Sequence, residues 1–174
     1  VPSRSVDLLV EWGIEPNRII PTNGHRTDSV GGLRFKAIPA AHMELDFDED
    51  GNSWYVGYVI ECDGICIYHM GDGQPWPGWH TAIDQASKAL SDGLDIALLC
   101  INGNDNLSHI QAVDVIEKVM PKAAIPMHYG MDPNNTVDPQ IFVDELKHRL
   151  PNYPCHIPVH GGGFKLSSGK IEVL

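Results

Sequence analysis

The sequence is poor in basic residues and in long apolar segments, and both deficits exclude classes of partner. It holds 12 Lys and Arg against 23 Asp and Glu, which gives a formal net charge of −11. Nucleic acids and anionic membrane surfaces attract proteins with the opposite charge balance, so we expect neither as a partner. No apolar run approaches the roughly 18–20 residues that a transmembrane helix needs.

Cysteine is also scarce, and its spacing carries no recognisable motif. The four cysteines are Cys62, Cys66, Cys100 and Cys155, and no two of them form a Cys-x-x-Cys pair. Three lie in apolar runs that predict buried strands, so we interpret them as free thiols, which suit a reducing cytoplasm. A metal-binding or catalytic cysteine is the alternative.

The periodicity of apolar residues changes along the chain. Strands are predicted at 33–38, 54–62 and 65–70, and Asp63-Gly64 between the last two is typical of a type I′ hairpin turn. Farther along, helices at 81–90, 109–120 and 139–150 alternate with strands at 96–101, 123–126, 155–159 and 164–166, while a helix at 5–13 and a short strand at 18–20 come first. We therefore predict one α/β domain over residues 1–174, a β-meander followed by alternating β/α units.

Three residues that often bind metals follow apolar, strand-like runs. They are His42, Asp72 and His128. Strand ends are rigid and open onto loops, and one carboxylate with two imidazoles suits a hydrolytic metal site. Each residue also has an ordinary alternative: a loop histidine for His42, a turn-forming aspartate for Asp72 and a core histidine for His128.

The segments around these residues resemble a known family. They are Pro39-Ala40-Ala41-His42, Tyr68-His69-Met70-Gly71-Asp72 and Pro121-Lys122-Ala123-Ala124-Ile125-Pro126-Met127-His128. They resemble the metallo-β-lactamase superfamily, and within it the ascorbate-6-phosphate-lactonase-like branch of predicted zinc-dependent hydrolases. The resemblance implies the C-terminal portion of an αββα sandwich. It also implies a hydrolase of lactone or phosphodiester-type small-molecule substrates.

The resemblance assigns roles to individual residues. It implies two divalent metal ions, zinc or else manganese, with His42 on one, His128 on the other and Asp72 bridging both. A water held between the metals would attack the substrate. His69, three residues before Asp72, is a further candidate catalytic residue that would orient the metal site. The alternative for His69 is a core histidine. His156 and His160 form a weaker candidate pair of ligands.

The most diagnostic motif of that family, His-x-His-x-Asp-His, is absent, and the sequence contains no His-x-His at all. We therefore expect the N-terminal portion of the domain to be missing, and the remaining ligands to come from another segment or a second chain. Two ligands per metal are too few for a tight site, so the chain alone is expected to be inactive. A non-catalytic remnant that binds a partner is the alternative.

The resemblance also predicts where the chain is incomplete. In a sandwich each sheet is buried against the other. We expect the chain to expose an apolar sheet face where the N-terminal portion would pack, with Tyr58, Ile60, Ile65 and Ile67 coming from the strands near that contact. Trp76 and Trp79, in the loop after Asp72, either line a substrate pocket or pack the loop.

Overall fold

A six-stranded mixed sheet organises the chain, as seen in a computed structural model that describes residues 1–24, 26–159, 161–167 and 170–173. Its strands follow one another in sequence order: β1 (Thr27–Val30), β2 (Leu33–Pro39), β3 (Val56–Cys62), β4 (Ile65–His69), β5 (Ile96–Cys100) and β6 (Ala123–Met127). The β1–β2, β2–β3 and β3–β4 pairs are antiparallel, and the β4–β5 and β5–β6 pairs are parallel. The predicted meander and the β/α part are both confirmed.

The β3–β4 hairpin turns where the sequence predicts it. Cys62 pairs with Ile65, which leaves Asp63 and Gly64 as a two-residue loop. Their φ angles are 50° and 79°, as a type I′ turn requires. The turn fixes the register of the two strands, and with it which residues lie opposite each other on each face of the sheet.

Four helices accompany the sheet: α1 (Val6–Glu11), α2 (Trp79–Leu90), α3 (His109–Val119) and α4 (Gln140–Arg149). α2 packs on β2, β3 and β4, α3 packs on β5, and α4 packs on α3. The sequence of α3 shows why it begins at this point. The Ser108 hydroxyl accepts the Gln111 N–H while the Gln111 amide accepts the Ser108 N–H, a capping box. None of the helices in the described ranges is long and apolar enough to cross a membrane.

The two faces of the sheet differ in burial. On the helix side, Val59, Cys66 and Tyr68 are at most 1% exposed. On the opposite side Tyr58, Ile60, Ile65 and Ile67 are only half-buried. The predicted exposed face is therefore only partly uncovered, and burial of apolar surface by the helices concentrates the core on the other side.

Two predicted strands are wrong. Residues 18–20 hold no strand, because Pro16 opens a short 3₁₀ helix, Pro16–Arg18, in which the fixed φ of proline is favourable. At 155–159 only Cys155 forms a single bridge, to Ala124. The predicted strand at 164–166 is present as β7 (Phe164–Ser167), which forms a hairpin with β8 (Lys170–Val173). The chain also forms β1, which the sequence did not predict.

Candidate metal centre

The three candidate ligands follow strands that end at one edge of the sheet. β2 and β4 are both antiparallel to β3, so they run in the same direction, and β6 is parallel to β4 through β5. The carboxyl ends of β2, β4 and β6 therefore share an edge. His42 lies three residues after β2, Asp72 three residues after β4 and His128 directly after β6.

Asp72 is placed by a tight turn at this edge. The turn approaches the loop after β2, where the Gln74 N–H donates to the Ala41 carbonyl at 2.8 Å. Gly73 is buried there, and a Cβ on it would lie 3.3 Å from the Ala41 carbonyl oxygen. A larger residue would push the two loops apart, so glycine keeps the Asp72 turn beside the His42 loop.

Asp72 lies between an imidazole and an amide. Its Oδ1 is 3.5 Å from His128 Nε2, and the same oxygen accepts a hydrogen bond from Asn106 Nδ2 at 2.6 Å. The first distance is longer than an ordinary hydrogen bond. Two ligand atoms that each lie about 2.1 Å from a tetrahedral ion are about 3.4 Å apart, which is close to the distance between Asp72 and His128. His128 has a φ of +64°, a left-handed conformation that is uncommon for a non-glycine residue.

His42 shares a cavity with Asp72 rather than a direct contact. The cavity has a volume of about 640 Å³, and both residues line it. The His42 ring is exposed, and its centroid is 5.8 Å from that of Tyr55. His128 lines a second cavity of about 650 Å³ with Met127 and Tyr129. The structure thus brings Asp72 to His128, whereas His42 and His128 line different cavities and only Asp72 lines the cavity of His42.

The donor types and their spacing fit a divalent cation, but their number does not complete a site. Among residues 1–24, 26–159, 161–167 and 170–173, no three His, Cys, Asp or Glu side chains are grouped closely enough to hold an ion. Of the three predicted ligands, Asp72 and His128 lie close enough to share an ion, and His42 lines a cavity with Asp72. When bound, a cation at this position supplies Lewis-acid stabilisation of developing negative charge and makes water more acidic.

His69 acts on the turn and not directly on Asp72. Its Nδ1 accepts the Gly71 N–H at 3.1 Å. Loss of hydration lowers the pKa of the ring, which favours the neutral form, and an accepting Nδ1 places the proton on Nε2. This contact holds the residue that precedes Asp72. His160, in the weaker predicted pair, lies outside the described residues.

Asn106 is the site residue that the sequence analysis missed. It is 6% exposed and follows β5, whose carboxyl end lies at the same edge of the sheet as those of β4 and β6. Its Oδ1 is buried and has no hydrogen-bond partner, while its Nδ2 holds Asp72. An amide after a parallel strand, at the edge predicted for the metal, was the signal available in the sequence.

The cysteines and tryptophans near the site are structural. The Cys100 thiol donates to the Gly71 carbonyl at 3.0 Å, and burial raises the pKa of this thiol to about 12, so it stays protonated. Trp79 donates to the Tyr68 hydroxyl at 2.7 Å inside the core, and Trp76 donates to the Pro39 carbonyl at 3.1 Å. These bonds pack the loop after Asp72 against the sheet.

The sequence matches the Beta-lactamase superfamily domain over residues 7–128. The chain belongs to this family. Among curated proteins, the UPF0173 metal-dependent hydrolase of Thermococcus onnurineus is 33% identical over 140 residues, 77% of this chain and 58% of that protein. The UPF0173 metal-dependent hydrolase of Alkaliphilus metalliredigens is 37% identical over 118 residues, 64% of this chain and 48% of that protein. The chain spans about half the length of the curated relatives it matches.

Solved structures place this superfamily member in the metallo-β-lactamase fold. Igni18, a metallo hydrolase from the archaeon Ignicoccus hospitalis, superposes with a TM-score of 0.68 over 99% of this chain and 66% of its own, at 22% identity. The isothiocyanate hydrolase from Delia radicum gut bacteria superposes with a TM-score of 0.65 over 90% of this chain and 61% of its own, at 12% identity. At these identities the likeness concerns the fold alone.

Proposed function

We propose that this chain is part of a metal-dependent hydrolase, in which Asp72, His128 and His42 bind two divalent cations, zinc or else manganese. The observation that carries the proposal is the 3.5 Å approach of Asp72 Oδ1 to His128 Nε2 at the edge where three strands end. The metal-dependent hydrolases among its relatives support the same activity. Lactone or phosphodiester-type esters are the substrates, and the free thiols suit a cytoplasmic location.

The proposal includes a supply of ligands from outside the described residues. A catalytic zinc site uses about three protein ligands per metal. This chain offers three candidate ligands for two metals, so another segment or a second chain completes the site. It follows that the 174-residue chain by itself binds divalent cations weakly and hydrolyses neither class of ester.

Hydrolysis by the natural protein tests the function. The protein is purified in the form its host makes, supplied with zinc or manganese, and assayed on a chromogenic phosphodiester and on a γ-lactone. Asp72→Ala is expected to abolish turnover, because the bridging carboxylate is lost. His148→Ala, which alters an exposed histidine on α4, is the matched control and should retain full activity. Equal turnover by Asp72→Ala and the unmodified protein would contradict the proposal.

The isolated chain separates the two interpretations of its role. Turnover by the 174-residue chain that disappears in Asp72→Ala would refute the shared-site proposal, since one chain would then suffice. A natural protein that binds no metal and shows no turnover would favour the non-catalytic, partner-binding alternative.

A further inference from the structure

A positively charged residue, Arg4, lines the cavity that His42 and Asp72 also line. Trp54, Tyr55 and Tyr58 contribute aromatic rings to the lining of the same cavity. The cavity, of about 640 Å³, is large enough for a small organic molecule.

Arg4 is held in place by stacking and not by an acid. Its guanidinium carbon lies 4.0 Å from the centroid of the Trp54 ring and 5.9 Å from that of Tyr55. Arg4 is exposed, and a position over the ring face leaves its N–H groups available to a ligand. In the described part of the chain, no carboxylate or carbonyl accepts a hydrogen bond from Arg4.

Acidic residues outnumber basic ones by 23 to 12. Of the five arginines, Arg26, Arg34 and Arg149 form ion pairs, and Arg4 is the arginine that lines this cavity. A stacked arginine without an acidic partner, facing a cavity with aromatic walls, has the features of an anion-binding group. The planar fork of the guanidinium matches the two oxygens of a carboxylate or a phosphate.

We propose that Arg4 binds the anionic group of the substrate, a carboxylate or phosphate carried by a molecule with an apolar or aromatic portion. This inference rests on the proposed function and adds the substrate class to it. The aromatic walls pack on the apolar portion. Asp72 repels an anion, so the attraction in this cavity comes from Arg4.

Binding of simple anions to the metal-free chain tests the inference. Phenyl phosphate and benzoate are titrated calorimetrically in EDTA, with benzyl alcohol as the neutral analogue. The chain should bind at least one of the two anions and bind benzyl alcohol more weakly. Arg4→Gln should weaken anion binding about tenfold, the typical worth of a charge-assisted hydrogen bond. Arg4→Lys, which keeps the charge without the fork, should fall between the two.

Two further variants make the result specific. Arg26→Gln alters an arginine of the same region that is already paired with Asp28, and it should leave anion binding unchanged. Asp72→Ala removes the repulsion and should tighten binding, opposite in sign to Arg4→Gln. A preference for phenyl phosphate identifies phosphate as the bound group, and a preference for benzoate identifies carboxylate.

Equal anion affinity of Arg4→Gln and the unmodified chain would overturn the inference, and so would a chain that binds neither anion. Because EDTA keeps metals out, this test is independent of hydrolysis. Failure of the proposed function would appear as turnover that is insensitive to Asp72→Ala, with anion binding still sensitive to Arg4→Gln.

Discussion

Asp95 is a buried carboxylate that joins the strands carrying the candidate ligands. It is 4% exposed and lies directly before β5. Its Oδ2 accepts the Cys66 N–H of β4 at 2.7 Å, and its Oδ1 pairs with Lys122, directly before the first residue of β6, at 2.7 Å. One side chain thus ties β4, β5 and β6 together at the edge opposite the candidate metal centre.

The two contacts of Asp95 differ in expected energy. In Asp95→Ala the buried Cys66 N–H loses its acceptor, which costs about 1–3 kcal/mol. The Lys122 side chain is 63% exposed, so its ion pair contributes at most about 1 kcal/mol. We therefore expect a loss of about 1–4 kcal/mol in the free energy of unfolding for Asp95→Ala. Asp95→Asn keeps an acceptor for Cys66 and should lose about 1 kcal/mol.

Urea denaturation followed by circular dichroism measures these differences. The predicted order of destabilisation is Asp95→Ala first, then Asp95→Asn, with Lys122→Met costing no more than Asp95→Asn. A Lys122→Met variant as unstable as Asp95→Ala would refute the reasoning, because the ion pair and not the buried N–H would then be the source of the stability.

Three other predictions follow from single contacts. Asn106→Ala should weaken zinc binding at least about tenfold, because the Asn106 amide N–H that orients Asp72 is lost. It should change the free energy of unfolding by less than about 1 kcal/mol, since the substitution also removes the buried, unpartnered Asn106 Oδ1. Tyr68→Phe should cost about 1–3 kcal/mol by stranding the Trp79 N–H in the core. Hydrogen bonds from Asn52 lower the pKa of Asp48 below 3.8, so its loop should keep its protection against amide exchange above that pH and lose it as pH falls through the lowered value.

Each of these has a result that would contradict it. Zinc titration should give Asn104→Ala, an exposed residue of the same loop, an unchanged affinity; an equal loss in both variants would remove the special role of Asn106. Tyr68→Phe unfolding at the same urea concentration as the unmodified chain would show that Trp79 finds another acceptor. Protection factors in the Asp48 loop that already fall above pH 3.8 would contradict the assigned pKa direction.

Local patterns in the sequence were sufficient for most of the fold. The Asp63-Gly64 turn fixes its own geometry, and the shared edge of His42, Asp72 and His128 follows from strand directions alone. The strand prediction at 18–20 was wrong because the apolar Ile19 and Ile20 suggested a strand, while Pro16 favoured a 3₁₀ turn. The strand prediction at 155–159 was wrong because pairing depends on a partner strand and not on local propensity, and only Cys155 forms a bridge.

The part of the site that the sequence did not reveal depends on contacts between distant segments. Asn106 is 34 residues from Asp72 and meets it only once β4 and β5 are paired. Arg4 becomes notable only because the fold stacks it on Trp54 and leaves it without an acid. Neither residue belongs to a local motif; the position of Asn106 after a strand was a weak signal in the sequence, and Arg4 had none.

Zinc-edge anomalous diffraction from crystals of the chain soaked in zinc tests the central claim most directly. The account predicts an anomalous peak bonded to the Asp72 carboxylate and to His128 Nε2 at about 2.0–2.2 Å, absent from crystals of Asp72→Ala. A peak confined to other acidic residues, or no peak beside Asp72 at saturating zinc, would contradict it.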